Sequence, residues 1–230
     1  MRKILAFTLA ETLIVMGIIG IVSALTLPNL NASTGEKEKV AKVKKIYQNL
    51  NDAYGRATAI YGPLNEWFLS DTTEAAQKTR FYDRMTEFMK VSKSNAANWT
   101  ATLADGTSLV IDHVTNSSEV RIDIGIDGEN KGKNRDGVDL FHFATYTCAD
   151  GSAANRIVDI SSIVPHSYNG SSTQGSSTLL VSCLGGGGFG CTKWVIDYDN
   201  MDYLKLDSSG KCPNGKALNI LANPPVVTCR

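Results

Sequence analysis

The stretch Phe7–Leu27, FTLAETLIVMGIIGIVSALTL, decides how this chain is built. Its only ionisable side chain is Glu11. A helix of this length, at about 1.5 Å per residue, spans about 31 Å, which matches the hydrocarbon core of a bilayer. Arg2 and Lys3 precede the stretch. The positive-inside bias therefore predicts a cytoplasmic N-terminus, with the rest of the chain sent outward.

A secretory signal peptide is the alternative interpretation of this segment. Its apolar region would be only about 7–15 residues long, and an A-x-A cleavage site would follow it. Here the apolar run is longer and closes on the sequence LPNL at 27–30. We therefore expect the segment to stay on the mature protein.

Composition limits the functions that the remainder of the chain can have. Lys and Arg together number 23, as do Asp and Glu, so no basic surplus is available to neutralise a row of phosphates. This balance argues against nucleic-acid binding as the main function. All five cysteines lie between positions 148 and 229, and none forms a C-x-x-C pair. Such cysteines are typical of disulfide partners in an oxidising compartment.

An amphipathic helix is predicted to follow the apolar segment. Ser33 and Glu36 have the spacing of a capping box, and Gly62-Pro63 supplies a stop. Between them, apolar side chains recur at the three-and-four spacing of one helix face, from Val40 through Leu50 to Ile60.

Beyond Pro63 we predict one more helix and then short strands. The helix would start at Asp71-x-x-Glu74, run to about Val91, and bury Phe81, Met85 and Phe88. Asp105-Gly106 is a hairpin signal. The predicted strands lie near 100–103, 107–112, 119–126, 138–147, 157–164, 178–183 and 193–199.

The first thirty residues resemble the N-terminal segment of type IV pilins and of the pseudopilins of type II secretion systems. A short basic leader ends in a small residue, and Phe-Thr-Leu-x-Glu and about twenty apolar residues follow. The positions that carry the resemblance are Ala6, Phe7, Glu11, Gly20 and Pro28. It implies that a prepilin peptidase cuts between Ala6 and Phe7 and then N-methylates Phe7. Alanine stands where the family prefers glycine before the cut.

Glu11 also has a physical explanation, because a carboxylate at membrane depth is costly. Cleavage would expose the α-amino group of Phe7, whose reference pKa is about 7.7–8.0. A neighbouring subunit shifted along the axis could place that amine beside Glu11, so that each group neutralises the other. The alternative is that Glu11 lies near the cytoplasmic end and reaches the headgroups. We also expect Pro28 to kink or loosen the helix between about 26 and 35.

The resemblance implies an α+β, lollipop-like fold, in which a long N-terminal helix packs on a small antiparallel sheet. We expect a leader at 1–6, a transmembrane and filament-core helix at 7–30, an amphipathic helix at 31–62 and a globular domain at 63–230.

The function implied is that of a structural subunit of a type IV pilus or a secretion pseudopilus, without catalysis of its own. Its partners would be copies of itself or sister pilins, the prepilin peptidase, and an inner-membrane platform with a cytoplasmic ATPase. The protein would cross the inner membrane once, with its C-terminal domain in the periplasm or on an extracellular filament. The alternative is a membrane-tethered adhesin or ligand-binding minor pilin that recognises its target with glycine-rich loops and exposed residues such as Trp194.

A loop between two predicted strands is a candidate calcium site. It is similar to a loop of pseudopilin-like proteins, matched here at Gly132, Asn134, Gly137, Asp139 and Phe141. Calcium takes six to eight oxygen ligands, and no other cofactor is expected. The alternative is that these side chains cap turns and that the glycines supply positive φ angles. The candidate ligands are Asp127, Asn130, Asn134, Asp136 and Asp139.

The cysteines allow fifteen arrangements of two bridges. Cys183 and Cys191 flank a flexible LGGGGFG segment that permits a small ring. By the resemblance, Cys212 and Cys229 would close the C-terminal loop found in many pilins. Cys148 is then left over, or it pairs with Cys183 or Cys191 instead.

Motifs for other chemistry are weak. Gly185–Gly190 contains G-x-G-x-x-G, but the strand-like KWVIDY that follows predicts no helix to hold a pyrophosphate. The three histidines lie in no H-E-x-x-H pattern, and we expect ordinary surface or strand residues at 113, 142 and 166.

Overall fold

The structure is a computed structural model. It describes residues 9–71, 73–115, 119–128, 134–146, 162–166, 176–184, 188–220, 222 and 224–229, and within the first of these ranges the side chains of 23–34 are not described. The chain divides into two compact units, Met1–Glu38 and Lys39–Arg230.

The described elements form an α+β fold, as the sequence predicts. In its described part, the C-terminal unit holds one antiparallel sheet whose six strands lie side by side in chain order. The helices are α1 Leu9–Tyr61, α2 Leu64–Trp67, α3 Glu74–Thr86, α4 Ser176–Leu184 and α5 Phe189–Tyr198. The strands are β1 Val91–Asn95, β2 Thr100–Leu103, β3 Ser108–Thr115, β4 Glu119–Gly125, β5 Leu140–Tyr146 and β6 Val164–Pro165.

Helix α1 runs without interruption for 53 residues and passes from the first unit into the second. It ends at Tyr61, directly before Gly62-Pro63, as predicted. The capping-box spacing of Ser33 and Glu36 does not mark a helix start, because the backbone is helical on both sides of Ser33 and the apolar helix continues into the amphipathic one. The expected loosening between 26 and 35 does not appear as a break in the helix.

The C-terminal unit is built around the buried stripe of α1. Tyr47 stacks on Phe143 of β5 with 5.8 Å between ring centroids. Tyr54 lies 6.1 Å from Trp67 of α2, which in turn lies 5.8 Å from Phe81 of α3. The side chains of α1 that are fully or almost fully buried keep the predicted three-and-four spacing: Val40, Val43, Ile46, Leu50, Ala53, Tyr54 and Ala57.

Helix α3 is confirmed, with shifted ends. Its N-cap is Thr73, whose hydroxyl accepts a hydrogen bond from the Ala76 N–H at 3.3 Å. The helix ends at Thr86 rather than near Val91, because Val91 is the first residue of strand β1. Phe81 and Met85 are buried as predicted, and Phe88 is partly buried.

The sheet agrees with the sequence in its central strands. Asp105-Gly106 forms the predicted turn between β2 and β3, where Gly106 has a φ of +83°. The predicted strand at 157–164 falls largely on residues outside the described ranges. The predicted strands at 178–183 and 193–199 are wrong, because both segments are helical, in α4 and α5. Strand β1 was not predicted.

Candidate functional site

The first described residues of α1 form an apolar surface, which we call the apolar segment, residues 9–22. Within it, Gly17 and Gly20 have open space where a Cβ atom would lie. Glu11 lies in the first turn of the helix. The large apolar side chains of the segment are between 53% and 79% exposed: Leu9, Leu13, Ile14, Val15, Met16, Ile18, Ile19, Ile21 and Val22.

The structure describes only some of the predicted processing and assembly residues. Ala6 and Phe7 lie outside the described residues, and the side chain of Pro28 is not described. Gly20 and Glu11 are described, and both lie in the apolar segment. Among the residues that the structure describes, no helix combines the length and the apolar character needed to cross a membrane.

The candidate calcium ligands lie in the loop between β4 and β5. Asp136 Oδ1 lies 3.0 Å from His142 Nε2, and the buried Asp139 accepts a hydrogen bond from the Arg135 N–H. Asp127 and Asn134 are exposed, and Asn134 has a φ of +45°. Asn130 lies outside the described residues. Among the described residues, no group of three or more His, Cys, Asp or Glu side chains could hold a metal ion.

Backbone carbonyl groups of the same loop also accept hydrogen bonds from protein donors. Lys42 of α1 donates to the carbonyl oxygen of Ile126, and Lys39 donates to that of Val138 at 3.1 Å. The Tyr203 hydroxyl donates to the carbonyl oxygen of Gly137 at 2.6 Å. The carboxylates of Asp136 and Asp139 and three carbonyl groups of the described part of the loop therefore already face donors of the same chain.

Two histidines flank one phenylalanine beside this loop. His142 on β5 is 5% exposed and directly faces Asp123 of β4 in the sheet register. Its Nδ1 atom lies 2.7 Å from Asp123 Oδ1. His166 Nε2 lies 2.6 Å from Glu119 Oε1. The ring of Phe189 lies 4.8 Å from that of His142 and 4.6 Å from that of His166.

The electrostatics of His142 are a balance of opposing effects. Burial by itself lowers the pKa of His142, because it disfavours the charged imidazolium. The hydrogen bonds and negative charges of Asp123 and Asp136 outweigh that effect, and the pKa is raised above its usual value. His142 is a strand residue as predicted, but it is a buried and doubly paired one. The signal for this was the register of the strand pair, which sets Asp123 opposite His142.

The disulfide between Cys183 and Cys191 lies against the β4–β5 loop. Cys183 pairs with Cys191, and Cys212 pairs with Cys229, which is the arrangement preferred from the sequence. The alternative pairing of Cys148 with either Cys183 or Cys191 is not the one found, and Cys148 itself lies outside the described residues. A Cβ atom on Gly137 would overlap the Cys191 sulfur.

Helix α5 changes two predictions about the C-terminal region. A helix does follow the G-x-G-x-x-G match, so the reason given for rejecting that motif is wrong. The described element before it is helix α4 rather than the strand that a dinucleotide-binding motif requires. The prediction that Trp194 is exposed is also wrong. Its side chain is fully buried, and its indole N–H donates to Asn200 Oδ1 at 3.0 Å.

No protein-family model, no curated protein and no solved structure matches this chain. The function is therefore inferred from the residues and the geometry described above.

Proposed function

We propose that this chain is a structural subunit of a type IV pilus or a secretion pseudopilus, anchored in the inner membrane by its N-terminal helix before assembly. The observation that carries the proposal is the apolar segment at residues 9–22, whose large side chains are more than half exposed in the isolated chain. A helix that is apolar all around its circumference needs an apolar surrounding, either lipid or neighbouring helices. Before assembly the membrane would supply lipid as this surrounding, and in the filament sister subunits would replace the lipid.

The single acid in the apolar run supports assembly in one register. Once a prepilin peptidase has cut between Ala6 and Phe7, the new α-amino group is a cation within the apolar layer. A neighbouring subunit's Glu11 can neutralise it, and both groups are then spared the cost of a stranded charge. Only one axial shift between the two helices brings the amine and the carboxylate together.

Small residues in the segment support close packing of such helices. Gly17 and Gly20 lie one helical turn apart, and nothing in the described chain occupies the space beside either of them. Glycine at this spacing allows two helix backbones to approach closely. The disulfides add support for the compartment, because bonds such as Cys212–Cys229 form and persist outside the reducing cytoplasm.

The test uses the full chain, expressed in a bacterium that holds the assembly machinery. Mass spectrometry of the mature protein should find an N-terminus at methylated Phe7. A mass that begins after about residue 24 would instead identify a conventional signal peptide and overturn the proposal.

Glu11→Ala separates assembly from simple tethering. We expect this variant to be made, oxidised and folded but to be missing from filaments sheared from the cells. The matched control is Glu38→Ala, which removes an exposed acid from the same helix beyond the apolar run. It should assemble as the wild type does. If Glu11→Ala assembled as well as the wild type, the register role proposed for Glu11 would be wrong. If the wild type itself were missing from sheared filaments and stayed in the membrane, the chain would be a tethered binding protein rather than a filament subunit.

A further inference from the structure

Among the residues that the structure describes, no carboxylate pairs with Arg84, which lies beside a cavity in the C-terminal unit. The guanidinium of Arg84, on α3, is stacked 4.6 Å from the ring centre of Tyr61 and 5.1 Å from that of Trp67. Its Nη1 atom is buried and has no hydrogen-bond partner among the described atoms. A guanidinium carries five N–H donors in a planar fork, a geometry that matches a carboxylate.

The neighbouring arginine on the same helix, Arg80, is fully paired with a carboxylate. Arg80, one turn earlier, donates from Nε and Nη2 to the two carboxylate oxygens of Asp71 at 2.9 and 3.1 Å. This pair holds the pKa of Asp71 below its usual value. Because both oxygens of Asp71 face Arg80, that carboxylate is already used. Burial lowers the pKa of Arg84 and the charge of Arg80 adds to this effect, while the charge of Asp71 partly opposes it.

The cavity beside these arginines has the size of a small-molecule site. Its volume is about 530 Å³, and we call it the α1–α3 cavity. Ligand pockets in proteins are commonly about 300–1,000 Å³. The residues that matter for its chemistry are Tyr61, Asp71, Arg80, Asp83, Arg84 and Glu87.

The acidic residues of the cavity limit which anions can enter. Glu87 accepts a hydrogen bond from the Tyr61 hydroxyl at 2.5 Å, and Asp83 is exposed at the same wall. With Asp71 matched by Arg80, these two acids oppose a ligand of high negative charge. Both acids would repel a phosphate dianion more strongly than a monoanion, because the repulsion grows with the charge of the ligand. A single carboxylate can pair with Arg84, while the uncharged part of the ligand lies beside the acids.

We propose that the α1–α3 cavity binds a monocarboxylate group through the guanidinium of Arg84, with the ring of Tyr61 beneath the contact. The carboxylate can belong to a free organic acid or to an acidic side chain of a second copy of this chain. The proposal does not depend on filament assembly, because every group that it uses lies in the C-terminal unit.

The test is a titration of the full chain in detergent, followed by the NMR signals of the Arg84 Nε–H and the Trp67 indole N–H. The probe is N-acetylglycine at neutral pH, and its matched control is N-acetylglycinamide, which lacks the negative charge. We expect a saturable shift of both signals with the acid and none with the amide. Equal shifts with both probes, or no saturable shift with the acid, would overturn the proposal.

Three variants make the titration specific. Arg84→Gln should weaken binding by at least about tenfold, the change expected when about 1.4 kcal/mol is lost. Arg84→Lys keeps the charge, so it should fold even if Arg84→Gln does not, and it should also bind more weakly because the fork is lost. Asp83→Asn should tighten binding severalfold, which a purely structural role for Arg84 would not produce. Arg56→Gln removes an exposed arginine from α1 and should bind the acid as the wild type does.

Sedimentation of the same proteins distinguishes the two sources of carboxylate. If a second copy supplies it, N-acetylglycine and Arg84→Gln should each reduce self-association. If the source is a free acid, self-association should be the same in all samples, while the titration still separates wild type from Arg84→Gln. If Arg84→Gln bound the acid as tightly as the wild type, the assignment of the site would be wrong in either case.

Discussion

The two parts of helix α1 place their apolar side chains in opposite surroundings. From Val40 to Ala57 the apolar residues form one stripe, and that stripe is the centre of the core. From Leu9 to Val22 apolar residues lie all around the helix, and they are exposed in the isolated chain. The amount of hydrophobicity therefore does not locate the core. The spacing of the apolar residues along the helix does locate it, because only apolar residues on one face can all be buried by packing against the rest of the same chain.

A pair of identical substitutions tests this contrast with the largest expected effect. Leu50 is fully buried and Leu13 is 65% exposed. The same substitution, leucine to alanine, therefore probes the two surroundings. Leu50→Ala should lower the free energy of unfolding by about 2–5 kcal/mol, because it removes buried methyl groups and leaves a cavity. Leu13→Ala should change it by less than about 0.5 kcal/mol. Urea unfolding followed by tryptophan fluorescence measures both.

The reverse result would break the comparison. If Leu13→Ala destabilised the C-terminal unit as much as Leu50→Ala does, residues 9–22 would be part of the chain's own folding core. In that case the apolar segment would not be a surface reserved for other molecules.

Glycine substitutions give the next largest contrast. Gly137 has a φ of +71°, and its missing Cβ atom makes room for the Cys191 sulfur. Gly137→Ala should therefore cost about 2–4 kcal/mol, from backbone strain and overpacking together. Gly20→Ala lies in a helix with open space beside it, so it should add about 0.5–1 kcal/mol of helix stability in the isolated chain. Thermal unfolding followed by circular dichroism measures both.

Gly215→Ala is the control for strain alone. Gly215 has a φ of +77°, but no heavy atom lies within 4 Å of where a Cβ atom would stand. Its cost should be about 1–2 kcal/mol, clearly below that of Gly137→Ala. Equal costs at the two positions would show that the β4–β5 loop does not pack tightly on the disulfide.

The sequence predicts what depends on local pattern and fails where distant contacts decide. The stripe of α1, the Asp105-Gly106 turn and the central strands follow from period and turn chemistry. Helix α5 was predicted as a strand because KWVIDY is rich in β-branched and aromatic residues. Its buried residues Cys191, Trp194 and Val195 have helical spacing, which was the competing signal. The close approach of Gly190 to the Leu179 carbonyl group could not be predicted from either segment alone.

The candidate sites divide in the same way. The residues of the proposed assembly site can be named from the sequence alone, since they lie close together along the chain. The α1–α3 cavity cannot, because it brings together the end of α1, Asp71 and one face of α3. The Asp123–His142 pair stands between these cases, because it needs only the register of two neighbouring strands.

The third prediction concerns the pH dependence of the C-terminal unit. The folded-state pKa of His142 is raised above its unfolded value, so the charged form is favoured by folding. This stabilisation is complete below about pH 6.5 and is lost as the pH rises through the folded pKa. We expect the free energy of unfolding to fall across that window in the wild type and to fall less in His142→Asn. His113→Asn, which removes an exposed histidine beside Glu74, is the control for the loss of an imidazole.

Calcium should have the smallest effect of all on the C-terminal unit. In the described part of the β4–β5 loop, Asp136 and Asp139 and the carbonyl groups of Ile126 and Val138 already face protein donors. Binding a calcium ion would require several of these contacts to be given up. We therefore expect the thermal midpoint to move by less than about 1 °C between EDTA and millimolar calcium, since an ion that binds the folded state weakly adds little stability. A rise of several degrees that Asp127→Asn abolished would show that the loop rearranges around the ion, and that the C-terminal unit needs a ligand from outside the chain, as we propose for the apolar segment.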